Sequence, residues 1–138
     1  MISMKLFYLV LSMFFIPIST YAQQNVDSSG VKMAFDSEHI NLGKVIKGEK
    51  VEFDYSFTNQ GSEVIEIEIV SGCECTTLDW PRKKIHPGEV AAINVIFDSS
   101  EKEESEVVDV DITFKNIDPK TGDQIFKILT YSFDLVID

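Results

Sequence analysis

The chain has 138 residues, with 12 Lys and Arg against 23 Asp and Glu, for a formal net charge of −11. That acidity argues against nucleic acid or an anionic membrane surface as a partner and suits a well-solvated surface. The length suits one domain with a core large enough to need no staples.

The first 22 residues read as a secretory signal peptide. Lys5 is the only charge before Asp27. An uncharged apolar run of 13 residues, Leu6 to Ile18, follows. Thr20-Tyr21-Ala22 then sets small residues at positions −3 and −1 of a cleavage before Gln23. The run is short for a hydrocarbon core of ~30 Å, and no later stretch reads as a stop-transfer segment. The expectation is an exported protein of the periplasm or cell surface, with no transmembrane segment in the mature chain. Removing Lys5 with the signal leaves 11 basic against 23 acidic residues.

Residues 23–30, QQNVDSSG, are small, polar and aperiodic, and read as a flexible leader. From residue 31 to 138 the hydrophobic period is two almost throughout, the pattern of half-buried strands. Val31–Phe35 and His39–Val45 read as two short strands or one bent strand. Val51, Phe53, Tyr55 and Phe57 then alternate with Glu52, Asp54, Ser56 and Thr58. Asn59-Gln60-Gly61-Ser62 is a turn, and Ile65, Ile67 and Ile69 form the next apolar set. Ile93, Val95 and Phe97 follow, then Val108, Val110, Ile112 and Phe114, and last Leu129, Tyr131, Phe133, Leu135 and Ile137. Lys47-Gly48-Glu49, Pro87-Gly88, Ser99–Ser105 and Asp118–Asp123 punctuate the runs as turns. Seven or eight short strands with no helical period predict an all-β, immunoglobulin-like antiparallel sandwich. Glu and Asp on the outward positions also protect strand edges from pairing with a second molecule.

Cys73-Glu74-Cys75 is the one constellation able to carry chemistry. In an extended strand residues i and i+2 share a face, so both sulfurs would emerge together with Cα atoms about 6.5–7 Å apart. That is the upper limit of disulfide geometry, so a bond needs a bend, which Gly72 could permit. So small a ring gains little chain entropy and would be readily reduced. Four readings stay open: a structural disulfide or buried pair, a redox-active dithiol, a soft-metal site completed by His39 or His86, and pairing with another protein's cysteine. Arg82, Lys83 and Lys84 lie close in sequence and would favour a thiolate, while Glu74 opposes them.

Other candidates are weaker. His86 precedes Pro87-Gly88 and reads as an exposed turn residue, and His39 as a strand-edge residue. No serine sits in a nucleophile-elbow context, and no catalytic residue or cofactor is proposed. The acids of 98–106 and 118–123 lack the spacing of a calcium loop. Trp80 is either a plug under a loop or an exposed contact residue.

Several motifs then occur in order: Phe35…Asn41-Leu42-Gly43-Lys44-Val45, Lys47-Gly48-Glu49, Phe53-x-Tyr55-x-Phe57-Thr58-Asn59-Gln60-Gly61, Ser71-Gly72-Cys73-Glu74-Cys75-Thr76 and His86-Pro87-Gly88-Glu89. This succession, over roughly residues 33–98, resembles the bacterial domain of unknown function 1573. That family is similar in turn to the immunoglobulin-like domains of the ASPM–SPD-2–Hydin and major sperm protein kind. Two departures stand out. Glu74 takes the place of a glycine between the cysteines, and Leu42-Gly43 stands where Phe-Gly is usual. The resemblance implies an exported bacterial sandwich and names no activity. It implies a hairpin at Asn59-Gln60-Gly61 and a turn at Pro87-Gly88 leading into a strand.

The function expected is therefore a non-enzymatic structural or protein-interaction module, binding another envelope protein through a sheet edge or end loops. The alternative is a thiol-redox or soft-metal-binding protein that uses Cys73 and Cys75.

Overall fold

A computed structural model describes residues 30–138. The predicted signal peptide and all but the last residue of the predicted leader lie outside the described residues. All regular structure among those described is β. There are eight strands: β1 (Met33–Phe35), β2 (His39–Ile46), β3 (Lys50–Asn59), β4 (Ile67–Gly72), β5 (Thr76–Asp79), β6 (Val90–Asp98), β7 (Glu106–Ile117) and β8 (Gln124–Val136). They form two four-stranded sheets, ordered β1-β3-β6-β5 and β2-β8-β7-β4. The immunoglobulin-like sandwich expected from the period-two pattern is the fold. One pair departs from antiparallel order, because β2 runs parallel to β8.

The inward residues of the two sheets meet as aromatic and β-branched layers. Tyr55, Phe57, Ile93, Val95 and Phe97 come from one sheet, and Val110, Ile112, Phe114, Leu129, Tyr131 and Phe133 from the other, all buried. Phe97 bridges them, with its ring centroid 4.5 Å from Phe133 and 5.3 Å from Tyr131. Phe53 lies 5.1 Å from Tyr131, edge-on. Each such side chain withdrawn from water stabilises the fold by about 1.5–3 kcal/mol.

Two sequence expectations change. Ile65, Ile67 and Ile69 do not share a face. Ile65 forms an isolated bridge to Ile85, and the ladder of β4 with β7 shifts register between Ile67 and Ile69. A bulge there turns Ile69 outward, 50% exposed, and Val70 inward. Asn59-Gln60-Gly61 does not close a hairpin of sequential strands, because β3 and β4 belong to different sheets. The segment instead folds back on residues 30–32: the Gln60 amide donates to the Lys32 carbonyl and the Ser62 amide to the Gly30 carbonyl.

Polar side chains tie down the crossings. Asn59 is buried, and its amide donates to the carbonyls of Glu63 (2.8 Å) and Ile85 (3.0 Å). Ser99 is also buried. Its hydroxyl donates to the Glu49 carbonyl and accepts from the Gly48 amide, fixing the turn between β2 and β3. Gly48 sits there at φ 99°, where only glycine is unstrained.

Candidate functional site

Cys73-Glu74-Cys75 is a turn rather than a strand. It carries the chain from β4 in one sheet to β5 in the other. The Thr76 amide donates to the Cys73 carbonyl at 3.0 Å, closing a four-residue turn with Glu74 and Cys75 at its centre. The turn brings the two Cα atoms to 5.2 Å, well inside disulfide geometry, and the sulfurs are bonded to each other. An extended strand would have held them farther apart, so the bend supplies what strand geometry lacked. β5, which the sequence pattern did not resolve, begins at the end of this turn and pairs with β6.

The disulfide is half-buried and rests on two hydroxyls. Thr76 Oγ1 lies 3.3 Å from Cys73 Sγ and 3.5 Å from Cys75 Sγ, and Tyr131 Oη lies 3.7 Å from Cys75 Sγ. Tyr131 Oη and Thr76 Oγ1 are hydrogen-bonded at 2.7 Å. The bonded sulfurs carry no proton, so a hydroxyl is the donor to them; one of the two hydroxyl protons serves the Tyr131–Thr76 bond and the other faces a sulfur. Burial pushes the Tyr131 phenol above its ordinary pKa; the Thr76 hydrogen bond works against this and the charge of Glu106 adds to it. The phenol stays a proton donor at neutral pH.

Cys73 opens onto a groove of about 350 Å³ lined also by Gly72, Lys102, Glu106, Val107 and Asp109. Lys102 is 16% exposed and paired with Glu106. Cys75 does not line that groove and faces Tyr131 instead.

The histidines stand elsewhere. His39 is exposed on β2 and bridges two hydroxyls of β8, with Nδ1 2.7 Å from Thr130 Oγ1 and Nε2 3.1 Å from Ser132 Oγ. His86 is exposed, and its carbonyl accepts from the Glu89 amide in the Pro87-Gly88 turn. Among the described residues, no group of three or more His, Cys, Asp or Glu side chains is placed to hold a metal ion. Trp80 is partly buried against the core, with the Arg82 guanidinium 3.7 Å above its ring centroid.

The outward face of the β2-β8-β7-β4 sheet carries a second feature. Ile69, Thr113 and Phe126 form one row across β4, β7 and β8. Ser71, Asp111 and Ile128 form the next row. Ile69 is 50% exposed, Phe126 54% and Ile128 50%. The opposite sandwich face is polar at its centre, where the Asn94 amide donates to Glu52 (3.0 Å) and Asp54 (2.9 Å). Alternation alone assigns Phe126 and Ile128 to the solvent side; only the bulge at β4 adds Ile69 to them.

No curated protein matches the chain. Among solved structures, a Porphyromonas gingivalis W83 protein of unknown function superposes with a TM-score of 0.62 at 20% identity, over 76% of this chain and 47% of that one. The ASH / PapD-like domain of human CEP192 (PapD-like domain 7) gives 0.60 at 10% identity, over 93% of this chain and 96% of that one. The Vibrio cholerae VesB protease gives 0.59 at 14% identity, over 78% of this chain and 32% of that one. The chain thus spans about a third of the protease and about half of the P. gingivalis protein, and the likeness is one of fold. The family model described as "Protein of unknown function (DUF1573)" matches residues 33–127. With more than half of its length matched, and with the motifs of residues 35–89 falling inside that span, the chain belongs to the DUF1573 family.

Proposed function

We infer that this protein is an exported, non-catalytic immunoglobulin-like module that binds another envelope protein through the outward face of the β2-β8-β7-β4 sheet. One observation carries the reading: Ile69, Phe126 and Ile128 stand on one outward sheet face, each at least half exposed, with only Thr113 between Ile69 and Phe126. Clustered apolar side chains on a sheet face lose solvation free energy that a partner's surface would recover. Asp109 and Asp111 lie on the same face, so the complementary surface is apolar with basic residues beside it. Export rests on the tripartite N-terminus, residues 1–22.

The sheet edges are poorer candidates. β1 has three residues and β5 four, while β2 and β4 each carry a register shift. Short or bulged edges offer few free backbone groups in line for an added strand.

The test is a photo-crosslinking residue placed at position 126 in cells that make the protein, with the same residue at position 54 on the opposite face. The expected result is a discrete protein adduct from 126 alone, lost when Ile128→Glu is added. Ile128→Glu should change folding stability by no more than about 0.5 kcal/mol, as for an exposed position. Equal adduct patterns from both faces, or none from 126, would refute the reading.

A further inference from the structure

We propose that Cys73–Cys75 is an exchange-competent disulfide: a dithiol reductant attacks Cys73 from the groove, and Cys75 leaves as the thiolate. This assignment does not rest on the proposed function, although the groove shares Asp109 and Asp111 with that sheet face.

The two sulfurs occupy unlike environments. Cys73 lines an open groove, so a nucleophile can approach it. The Thr76 hydroxyl is shared, 3.3 Å from Cys73 Sγ and 3.5 Å from Cys75 Sγ, whereas the Tyr131 hydroxyl, 3.7 Å away, meets Cys75. In thiol–disulfide exchange the departing sulfur takes up negative charge, and the lower its pKa the faster it leaves. With the Thr76 hydroxyl donating to Tyr131 Oη, the phenol proton is left for Cys75, where it stabilises that charge from a position fixed before the reaction begins. The turn itself does not depend on the bond between the sulfurs. The Thr76 amide is held by the Cys73 carbonyl, and the Asp98 amide by the Cys75 carbonyl at 2.8 Å. The bond can therefore open without unfolding the turn.

A thiolate of the reductant bonds to Cys73 Sγ while the Cys73–Cys75 bond breaks, and its electron pair stays on Cys75. The reductant's second thiol, deprotonated, attacks its own sulfur in the mixed disulfide and releases Cys73 as a thiolate. The dithiol is oxidised by two electrons to a disulfide, and the two protons it gives up protonate Cys73 and Cys75.

The groove also selects the reductant's charge. Lys102 is already paired with Glu106, and Asp109 and Asp111 line the same groove. An anionic thiol meets a net acidic wall, so a neutral dithiol, or one flanked by basic residues, is the favoured class.

The experiment treats the mature protein with dithiothreitol, or with glutathione at equal thiolate concentration, under native conditions, and follows it by acid quench, alkylation and mass spectrometry. Dithiothreitol is expected to give the dithiol form with an unchanged circular dichroism spectrum, at least about 10-fold faster than glutathione. With 2-mercaptoethanol, tandem mass spectrometry should locate the first adduct on Cys73. Tyr131→Phe should slow opening by about 10-fold, the scale of a leaving thiol pKa raised by one to two units. Tyr55→Phe, which touches neither sulfur, should leave the rate unchanged and controls for a general loosening of the fold. A disulfide that stays closed until the protein unfolds, a first adduct on Cys75, or equal rates in Tyr131→Phe and wild type would overturn the proposal.

Discussion

The Tyr131 and Thr76 hydroxyls, 2.7 Å apart, connect the centre of one sheet to the edge strand of the other. Tyr131 is fully buried, so its hydroxyl depends on the Thr76 side and on Cys75 for partners. Thr76→Val keeps the shape and removes the hydroxyl. It should destabilise the fold by about 1–3 kcal/mol, the cost of leaving a buried donor poorly satisfied. Urea titration would measure this, and a change below about 0.3 kcal/mol would show that the pair contributes nothing net.

Gly61 is required by close approach rather than by backbone angle. A Cβ there would lie 2.3 Å from the Gly30 carbonyl oxygen and 2.6 Å from the Lys32 amide nitrogen, both backbone atoms. Those atoms belong to the segment that pairs with residues 60–63, so relief requires that pairing to open. Gly61→Ala should cost about 1–3 kcal/mol, as overpacking does, and lower the melting temperature by several degrees. Melting within one degree of wild type would mean that residues 30–32 are not held against this turn.

Asn59 donates to two carbonyls, those of Glu63 and Ile85. Asn59→Asp is nearly isosteric but faces the same carbonyl oxygens with a carboxylate. A loss of about 3 kcal/mol at neutral pH is expected. Because the folded state favours the protonated acid, its pKa is raised on folding, and the variant should regain stability as pH falls through that folded value. A variant equally stable at pH 4 and pH 7 would contradict the donor role.

Burial raises the pKa of both Tyr55 and Tyr131, and for Tyr55 the neighbouring Tyr131 adds to the rise. An unfolded tyrosine titrates near pH ~10. The folded state therefore holds these protons where the unfolded chain has released them. Their contribution is complete below about pH 10 and is lost as pH climbs towards the folded values. Circular dichroism between pH 8 and 12 should show denaturant resistance falling only above about pH 10. Tyr55→Phe should flatten that fall. It should also lose about 1 kcal/mol at neutral pH with the 2.5 Å bond to the Thr130 carbonyl. Stability unchanged to pH 12 would refute the assignment.

How much of this could be read from the residues alone varies by element. Alternation located β3, β6, β7 and β8, because each puts one face into the core over many residues. It failed at Ile69, where one extra residue inverts the pattern and no local signal marks the bulge. It failed at Cys73–Thr76, where a turn between sheets replaces a strand, since nothing in Cys-Glu-Cys prescribes a bend. The parallel pairing of β2 with β8 joins segments some ninety residues apart, as His39 and Thr130 show. The Ile85 carbonyl that Asn59 meets and the Glu49 carbonyl that Ser99 meets likewise arrive from distant segments. Such partners are tertiary facts that local propensity does not carry.

The disulfide separates its structural from its chemical worth. Cys73 and Cys75 are two positions apart, so closing the bond removes little freedom from the unfolded chain. Chain-entropy scaling for a three-residue loop gives about 1.5 kcal/mol. Cys73→Ser combined with Cys75→Ser should lower stability by no more than about that amount, because the backbone bonds at Thr76 and Asp98 persist without the sulfurs. Urea unfolding of the double variant beside Gly61→Ala would rank the two. If the cysteine variant lost more than about 3 kcal/mol, the bond would be a main support of the sheet crossing, and opening it would disrupt the fold. A loss within the expected bound leaves Cys73 and Cys75 free to open and close within an intact sandwich, which is the condition their exchange chemistry needs.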